Sequence, residues 1–220
     1  MKKEIELSIP TSYGDITLKK WLGLQKEIDN YEGNDEAIGA LMIYHLCGLD
    51  PLYLNGLVME DYNVIKNELA SFLQDVELPL QRFINIDGVE YGFEPNLSKM
   101  TYGAYADISK FDTIAIDDNW AKIMNILYRP VTKKTGDMYS IQTYTGDDSY
   151  TKFLNVPMDV HFGALFFLSN LQLSLLNSIL KFSMETEALR SIKPILQRSG
   201  EHMERLLTWQ KAIFSDSIKL

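Results

Sequence analysis

The side chains able to do chemistry are few, and they do not converge in sequence. His45, His161 and His202 are scattered, with no HExxH and no His–Cys spacing of the kind that zinc sites use. His45, with no second ligand one turn away, reads as a histidine at the edge of a core. Cys47 is the single cysteine and cannot form an internal disulfide; with Leu46 and Leu49 beside it, it reads as a small core residue. Two aspartate pairs, Asp117-Asp118 and Asp147-Asp148, could in principle share acid/base work or hold magnesium. Adjacent aspartates in turns are ordinarily solvated surface, and they are read that way here. Asn85, Asp87 and Glu90 bring oxygens close together but lack the spaced acidic ligands and the final glutamate of a calcium loop. There is no GxxxxGK[ST], no GxGxxG and no GxSxG. The expectation is a protein with no catalytic, cofactor-binding or metal-binding residues, no cofactor and no enzymatic activity.

Charge narrows the partners further. The net charge is −9, which repels a polyanion, so no direct nucleic-acid binding is expected. Only residues 181–220 are basic, with seven Lys/Arg against five Asp/Glu. Twelve Tyr, ten Phe and three Trp without a basic groove do not make a base-stacking platform; they suit core packing or a protein interface. The opening MKKEIELSIP has acidic side chains and no apolar block, which predicts no signal peptide and a protein that stays in the cell that makes it.

The longest apolar stretch of the chain is Pro157–Phe182. Pro157 suits a first helical position and Asp159 a first turn. Leu165, Leu168, Leu171, Leu175, Ile179 and Phe182 recur at helical spacing, and Phe162, Phe166, Phe167, Leu173, Leu176 and Leu180 widen the surface beyond one stripe. A core helix buried on several sides follows. Asn170, Gln172, Asn177 and His161 argue against a membrane span.

Upstream, Ile5, Leu7 and Ile9 alternate with polar residues up to Pro10, a short edge strand. Thr17 caps a helix on Leu18, Trp21, Leu22, Gln25 and Ile28. A second helix, Ala37–Cys47, closes at Gly48. A third covers Val58–Gln74, with Val58, Tyr62, Ile65, Leu69, Phe72 and Leu73 inside. Asp87-Gly88 between two β-prone runs predicts a hairpin over Arg82–Phe93 with Ile84, Ile86, Val89 and Tyr91 on one face. A further helix ends at Pro130. A second hairpin pairs Pro130–Thr132 with Met138–Thr145 across a polar turn at Lys133–Asp137.

Residues 16–24 are echoed at 100–108, and Leu41-Met42 at Ile123-Met124, suggesting an internal pseudo-repeat of helix, acidic loop and helix over about 8–57 and 92–131. The expected fold is α+β and predominantly α-helical: helical pairs packed around one long apolar helix, with short β-hairpins. Residues 1–182 form one globular domain and 183–220 a C-terminal amphipathic helical arm. On that arm Leu196, Met203, Leu206, Leu207, Trp209, Ile213 and Phe214 are the candidate partner-binding residues.

The ordered phrases SIPTSYGDITLKKWLGLQ, NIDGVEYGFEPNLSKMTYGAYADI, WAKIMNILYRPV, YTGDD and VPMDVHFGALFFL, over about residues 8–170, resemble a family of small late-gene virion and assembly proteins of tailed bacteriophages, crAss-like phages among them. None of these phrases is a catalytic motif. The resemblance implies a non-enzymatic role in building the particle, as a virion component, a tail or baseplate assembly factor or a packaged internal protein. It implies partners among other phage structural proteins and copies of this chain, in the host cytoplasm during assembly or in the virion. Two alternatives stand beside it: a membrane-active protein ejected from the particle, using Phe162–Leu180, and a magnesium-dependent hydrolase using the aspartate pairs.

Overall fold

The computed structural model describes residues 7–31, 33–73, 78–111, 113 and 115–183, with backbone alone at 29 and 177–183. The fold is mixed α+β, richer in helix than in strand, with one four-stranded antiparallel sheet among the described residues. Its described residues divide into two compact units, one of residues 7–73 with 157–159, the other of residues 78–156 and 160–183. The expected arm beyond Ser183 lies outside the described residues.

The first unit is helical. Leu7–Pro10 form no strand, so the alternation of Ile5, Leu7 and Ile9 is not realised as an edge strand over the part that is described. The chain is fixed instead by Asp15, whose carboxylate accepts the N–H groups of Thr11 and Ser12, each at 3.0 Å. Those bonds, Thr11's first, hold the Asp15 carboxyl below the usual carboxylate range. Helix α1 (Leu18–Ile28) buries Leu18, Trp21, Leu22, Leu24 and Ile28. Helix α2 (Asp35–Met42) starts two residues before the expected Ala37, because Asn34 Oδ1 accepts the Ala37 N–H at 3.0 Å and caps the helix. It widens into a π turn at Ile43–Cys47 and stops at Gly48, whose φ of 76° is the left-handed value expected of a helix-ending glycine.

Helix α3 (Pro51–Leu54) is short. Helix α4 (Met59–Phe72) buries Ile65, Leu69 and Phe72, with Leu73 just beyond it. Val58, expected inside, is exposed because it precedes the first turn and is off the buried face. Tyr13 joins these elements: its ring meets Trp21 and Phe72 edge-on, and its hydroxyl donates to the Leu73 carbonyl at 3.1 Å.

In the second unit, strands β1 (Phe83–Ile86) and β2 (Val89–Phe93) form the expected hairpin, with Ile86 opposite Val89 and Ile84 opposite Tyr91. Asp87 (φ 52°) and Gly88 (φ 82°) both adopt the positive φ that a type I′ turn requires. The Asn85 side-chain oxygen accepts the Gly88 N–H at 2.9 Å, so it serves the turn.

Helix α5 (Tyr102–Ile108) is capped by Thr101, and helix α6 (Trp120–Leu127) runs without a loop into strand β3 (Tyr128–Thr135). This corrects the expectation that helix continues to Pro130 and that Lys133–Asp137 is a turn. β2 captures the chain first, pairing Phe93 with Tyr128, Gly92 with Arg129 and Tyr91 with Pro130. Pro130 is accommodated by offering its carbonyl to the Gln142 N–H at 2.8 Å. A tight turn at Gly136 leads to strand β4 (Met138–Ile141), shorter than the expected Met138–Thr145. The two hairpins therefore merge into one meander in the order β1-β2-β3-β4.

Helix α7 (Met158–Ser183) begins where Pro157 predicts. Within the second unit Val160–Leu165 are buried, Phe166–Ser169 are half-buried, and Leu171, Leu173 and Leu175 are exposed while Leu176 is buried. The expected burial on several sides is thus confined to the first three turns. Phe167 packs edge-on against Phe93, which packs edge-on against Tyr128 across the β2–β3 pair. Gly163 lets the helix meet backbone directly, since a Cβ there would stand 2.5 Å from the Pro79 carbonyl oxygen. In the suggested repeat, Trp21 and Leu24 are buried, whereas their counterparts Tyr105 and Ile108 are exposed and half-buried. No described helix is long and apolar enough to cross a membrane.

Candidate functional site

The second unit carries a buried relay and a cleft lined largely by polar side chains. Trp120, at the start of α6, is fully buried, and its indole N–H donates to His161 Nδ1 at 3.2 Å. An indole nitrogen can only donate, so Nδ1 accepts, and the His161 proton resides on Nε2, 3.2 Å from the Phe153 carbonyl oxygen. Burial pushes the His161 pKa down to about 3 and keeps the ring neutral. This histidine is structural: it ties α6 and α7 to the 3₁₀ turn Tyr150–Asn155.

The same unit holds a cleft of ≈ 330 Å³, lined among others by Tyr91, Asn125, Arg129, Thr143, Tyr144 and Lys152. Its outer wall is the irregular segment 142–149, and that wall is pinned at several points. Asn125 Nδ2 donates to the Asp147 carbonyl at 2.8 Å. The Asp147 carboxylate takes the Ser149 N–H at 3.2 Å and the Ser149 hydroxyl, and these bonds, the hydroxyl's first, lower its pKa. Lys152 Nζ donates to Ser149 Oγ at 2.9 Å and lies 5.1 Å from the centre of the Tyr91 ring. Tyr144 donates its hydroxyl to Asp107 at 2.7 Å. Burial, then that bond, push Tyr144 up to about 12, while Lys110 and Tyr144 hold Asp107 low.

The inner wall holds Arg129, the residue of β3 opposite Gly92. Its Nη2 is ion-paired with Glu94, and each side chain is only 10% exposed. Arg129 Nε is buried without an acceptor.

The candidate partner residues Leu196, Met203, Leu206, Leu207, Trp209, Ile213 and Phe214, like His202, lie outside the described residues. The aspartates of the two pairs are spread over separate local tasks. Asp117 Oδ1 accepts the Asn119 N–H at 2.7 Å ahead of α6, and Asp147 serves the cleft wall. Among the described residues no group of three His, Cys, Asp or Glu side chains is placed to hold a metal. His45 stands 3.3 Å from Glu27 at the edge of the first unit's core. Burial raises the Cys47 thiol to about 11, partly opposed by Lys20, so little reactive thiolate forms near neutral pH.

The cleft is absent from the sequence reading. A signal is present, since Asn125 and Arg129 are polar residues inside the otherwise apolar run from Trp120 to Val131, broken also by Lys122. A second surface feature lies on the first unit, where Leu52, Val58, Met59 and Val64 are 82%, 60%, 65% and 50% exposed. Compared with known proteins, the chain matches no family model, no curated protein and no solved structure.

Proposed function

We propose that this chain works by holding other proteins, as a structural or assembly component of a tailed-phage particle, and that it performs no reaction of its own. The observation carrying the protein-binding part is the set of large apolar side chains at Leu52, Val58, Met59 and Val64, each at least half exposed within one segment of the first unit. Apolar surface left open to water costs free energy that a partner recovers by covering it, which is why such patches mark interaction sites. Exposed Tyr53 in the same segment adds an aromatic side chain of the kind that anchors interfaces. The phage setting is supported by the resemblance over residues 8–170. On this reading the segment 183–220 is a helical arm that adds a second contact through Leu196, Met203, Leu206, Leu207, Trp209, Ile213 and Phe214.

The test replaces the phage's own copy with a variant carrying Leu52→Asp, Val58→Asp and Met59→Asp, and separately with a chain ending at Ser183. Mass spectrometry of purified particles then reads incorporation, alongside infectivity. A fixed copy number in wild-type particles that either variant loses marks a virion part. Absence from wild-type particles, with particle yield lost in the variants, marks an assembly factor. Unchanged particle yield and infectivity in both variants would refute the proposal.

A further inference from the structure

The cleft beside β3 is not used by the protein-binding role just described, and its chemistry points elsewhere. A guanidinium offers five N–H donors. Among the described residues that of Arg129 meets one acceptor, Glu94, and its Nε–H is buried with none. A nearly buried guanidinium with one ion-pair partner and an unmet Nε–H is costly, and an acceptor reaching its outer nitrogens offsets part of that cost. The surrounding wall supplies more donors: the Lys152 ammonium, which gives one of its three hydrogens to Ser149, and the Thr143 and Thr145 hydroxyls. The two carboxylates that meet these groups are already engaged, and Asp148, which acts on Tyr144, is outside the lining. Asp147 holds the Ser149 groups, Glu94 holds Arg129, and the Asp147 carbonyl holds Asn125. This lining matches an acceptor-rich ligand.

We propose that the cleft binds a small oxyanion, a carboxylate or phosphate group, with Arg129 and Lys152 as its cationic contacts. Two basic residues line one cavity against a single carboxylate, Asp147, in a chain of net charge −9. The volume of ≈ 330 Å³ lies near the lower end for small-molecule sites, which fits a compact ligand with one or two charged groups. The outer wall is pinned in advance by Asn125 on the Asp147 carbonyl and by Tyr144 on Asp107, so little ordering is left for the ligand to impose. Arg129 is also clamped by Glu94, so its charge stays where a ligand would meet it.

The test is a pair of NMR titrations of the full ¹⁵N-labelled chain, with inorganic phosphate and with succinate, at constant ionic strength. The expected result is a saturable shift of the Arg129 Nε–H and of the backbone amides of 142–149 with at least one probe. The probe that saturates first separates a phosphate site from a carboxylate site. Lys152→Met should weaken binding about tenfold, the loss of one charge-assisted hydrogen bond. Lys152→Arg should keep binding within about threefold, since the cation is retained. A linear, non-saturating response to both probes would overturn the proposal, as would wild-type affinity in Lys152→Met.

Discussion

The closest backbone approach in the second unit gives its sharpest test. At Gly163 a Cβ would stand 2.5 Å from the Pro79 oxygen, 3.1 Å from the Pro79 carbonyl carbon and 3.4 Å from the Leu80 Cα. All three are backbone atoms, and the first is far inside the ~3.5 Å of ordinary contact. Gly163→Ala must therefore push α7 and segment 79–80 apart. Overpacking of this kind costs about 1–3 kcal/mol, against which the better helix propensity of alanine returns about 0.5–1 kcal/mol. The net loss expected is about 1–2 kcal/mol, or roughly 2–8 °C in Tm for a chain of this size.

Gly103→Ala in α5 is the matched control, because a Cβ there meets only the Tyr144 ring, at an ordinary 3.8 Å. It should hold or raise stability by up to about 1 kcal/mol. Urea melts followed by far-UV circular dichroism read both variants, with the midpoint moving and the slope unchanged. If Gly163→Ala were as stable as the parent while Gly103→Ala behaved as expected, the close approach of α7 to Pro79 would be wrong.

Further expectations follow from the same contacts. His161 has its pKa lowered from 6.5 to about 3, so the unfolded chain takes up the proton first as pH falls. Its contribution is complete above about pH 6.5 and is lost downward through that window, at up to about 1.4 kcal/mol per pH unit. Between pH 7.5 and 5 the parent should lose about 2 kcal/mol more than His161→Gln does in paired urea melts; parallel pH profiles would contradict the neutral buried ring. Glu94→Leu leaves Arg129 buried and unpaired and should cost about 3–5 kcal/mol by the same assay, whereas Glu94→Leu with Arg129→Met should recover most of that loss. Asn34→Ala removes the acceptor for the Ala37 N–H and should cost about 1 kcal/mol, with Asn34→Asp close to the parent. Gly88→Ala forces a φ of 82° on a residue with a Cβ and should weaken the β1–β2 hairpin by about 1 kcal/mol, read as faster amide exchange at Ile86 and Val89.

What could be read in the sequence was what local chemistry decides. Asp87-Gly88 fixes its own turn, Gly48 its own helix end and Pro157 the start of α7, because each depends on backbone conformations within a few residues. The failures came where a distant partner outvotes the local signal. Pro130 reads as a helix breaker, yet the helix stops earlier because Phe93 pairs with Tyr128 and draws the chain into the sheet. The alternation of Ile5, Leu7 and Ile9 has the period of a strand, but a strand also needs a neighbour to bond to, and among the described residues Leu7–Pro10 pair with no strand. The outer half of α7 is apolar in composition while Leu171, Leu173 and Leu175 face solvent. The cleft was invisible for the same reason: Tyr91, Asn125, Arg129, Tyr144 and Lys152 are spread along the chain and share no motif.

The direct passage from α6 into β3 leaves that junction with no slack. The last helical carbonyl, Leu127 O, accepts the Glu94 N–H at 2.7 Å, and the very next residue, Tyr128, is already opposite Phe93. One residue inserted there would turn the helix by about 100° against its own packing or exchange the two faces of the strand. Length variation among descendants of this chain is therefore expected to collect at the hairpin tips near residues 87–88 and 136–137, while the spacing from Trp120 through Arg129 is inherited as an indivisible unit.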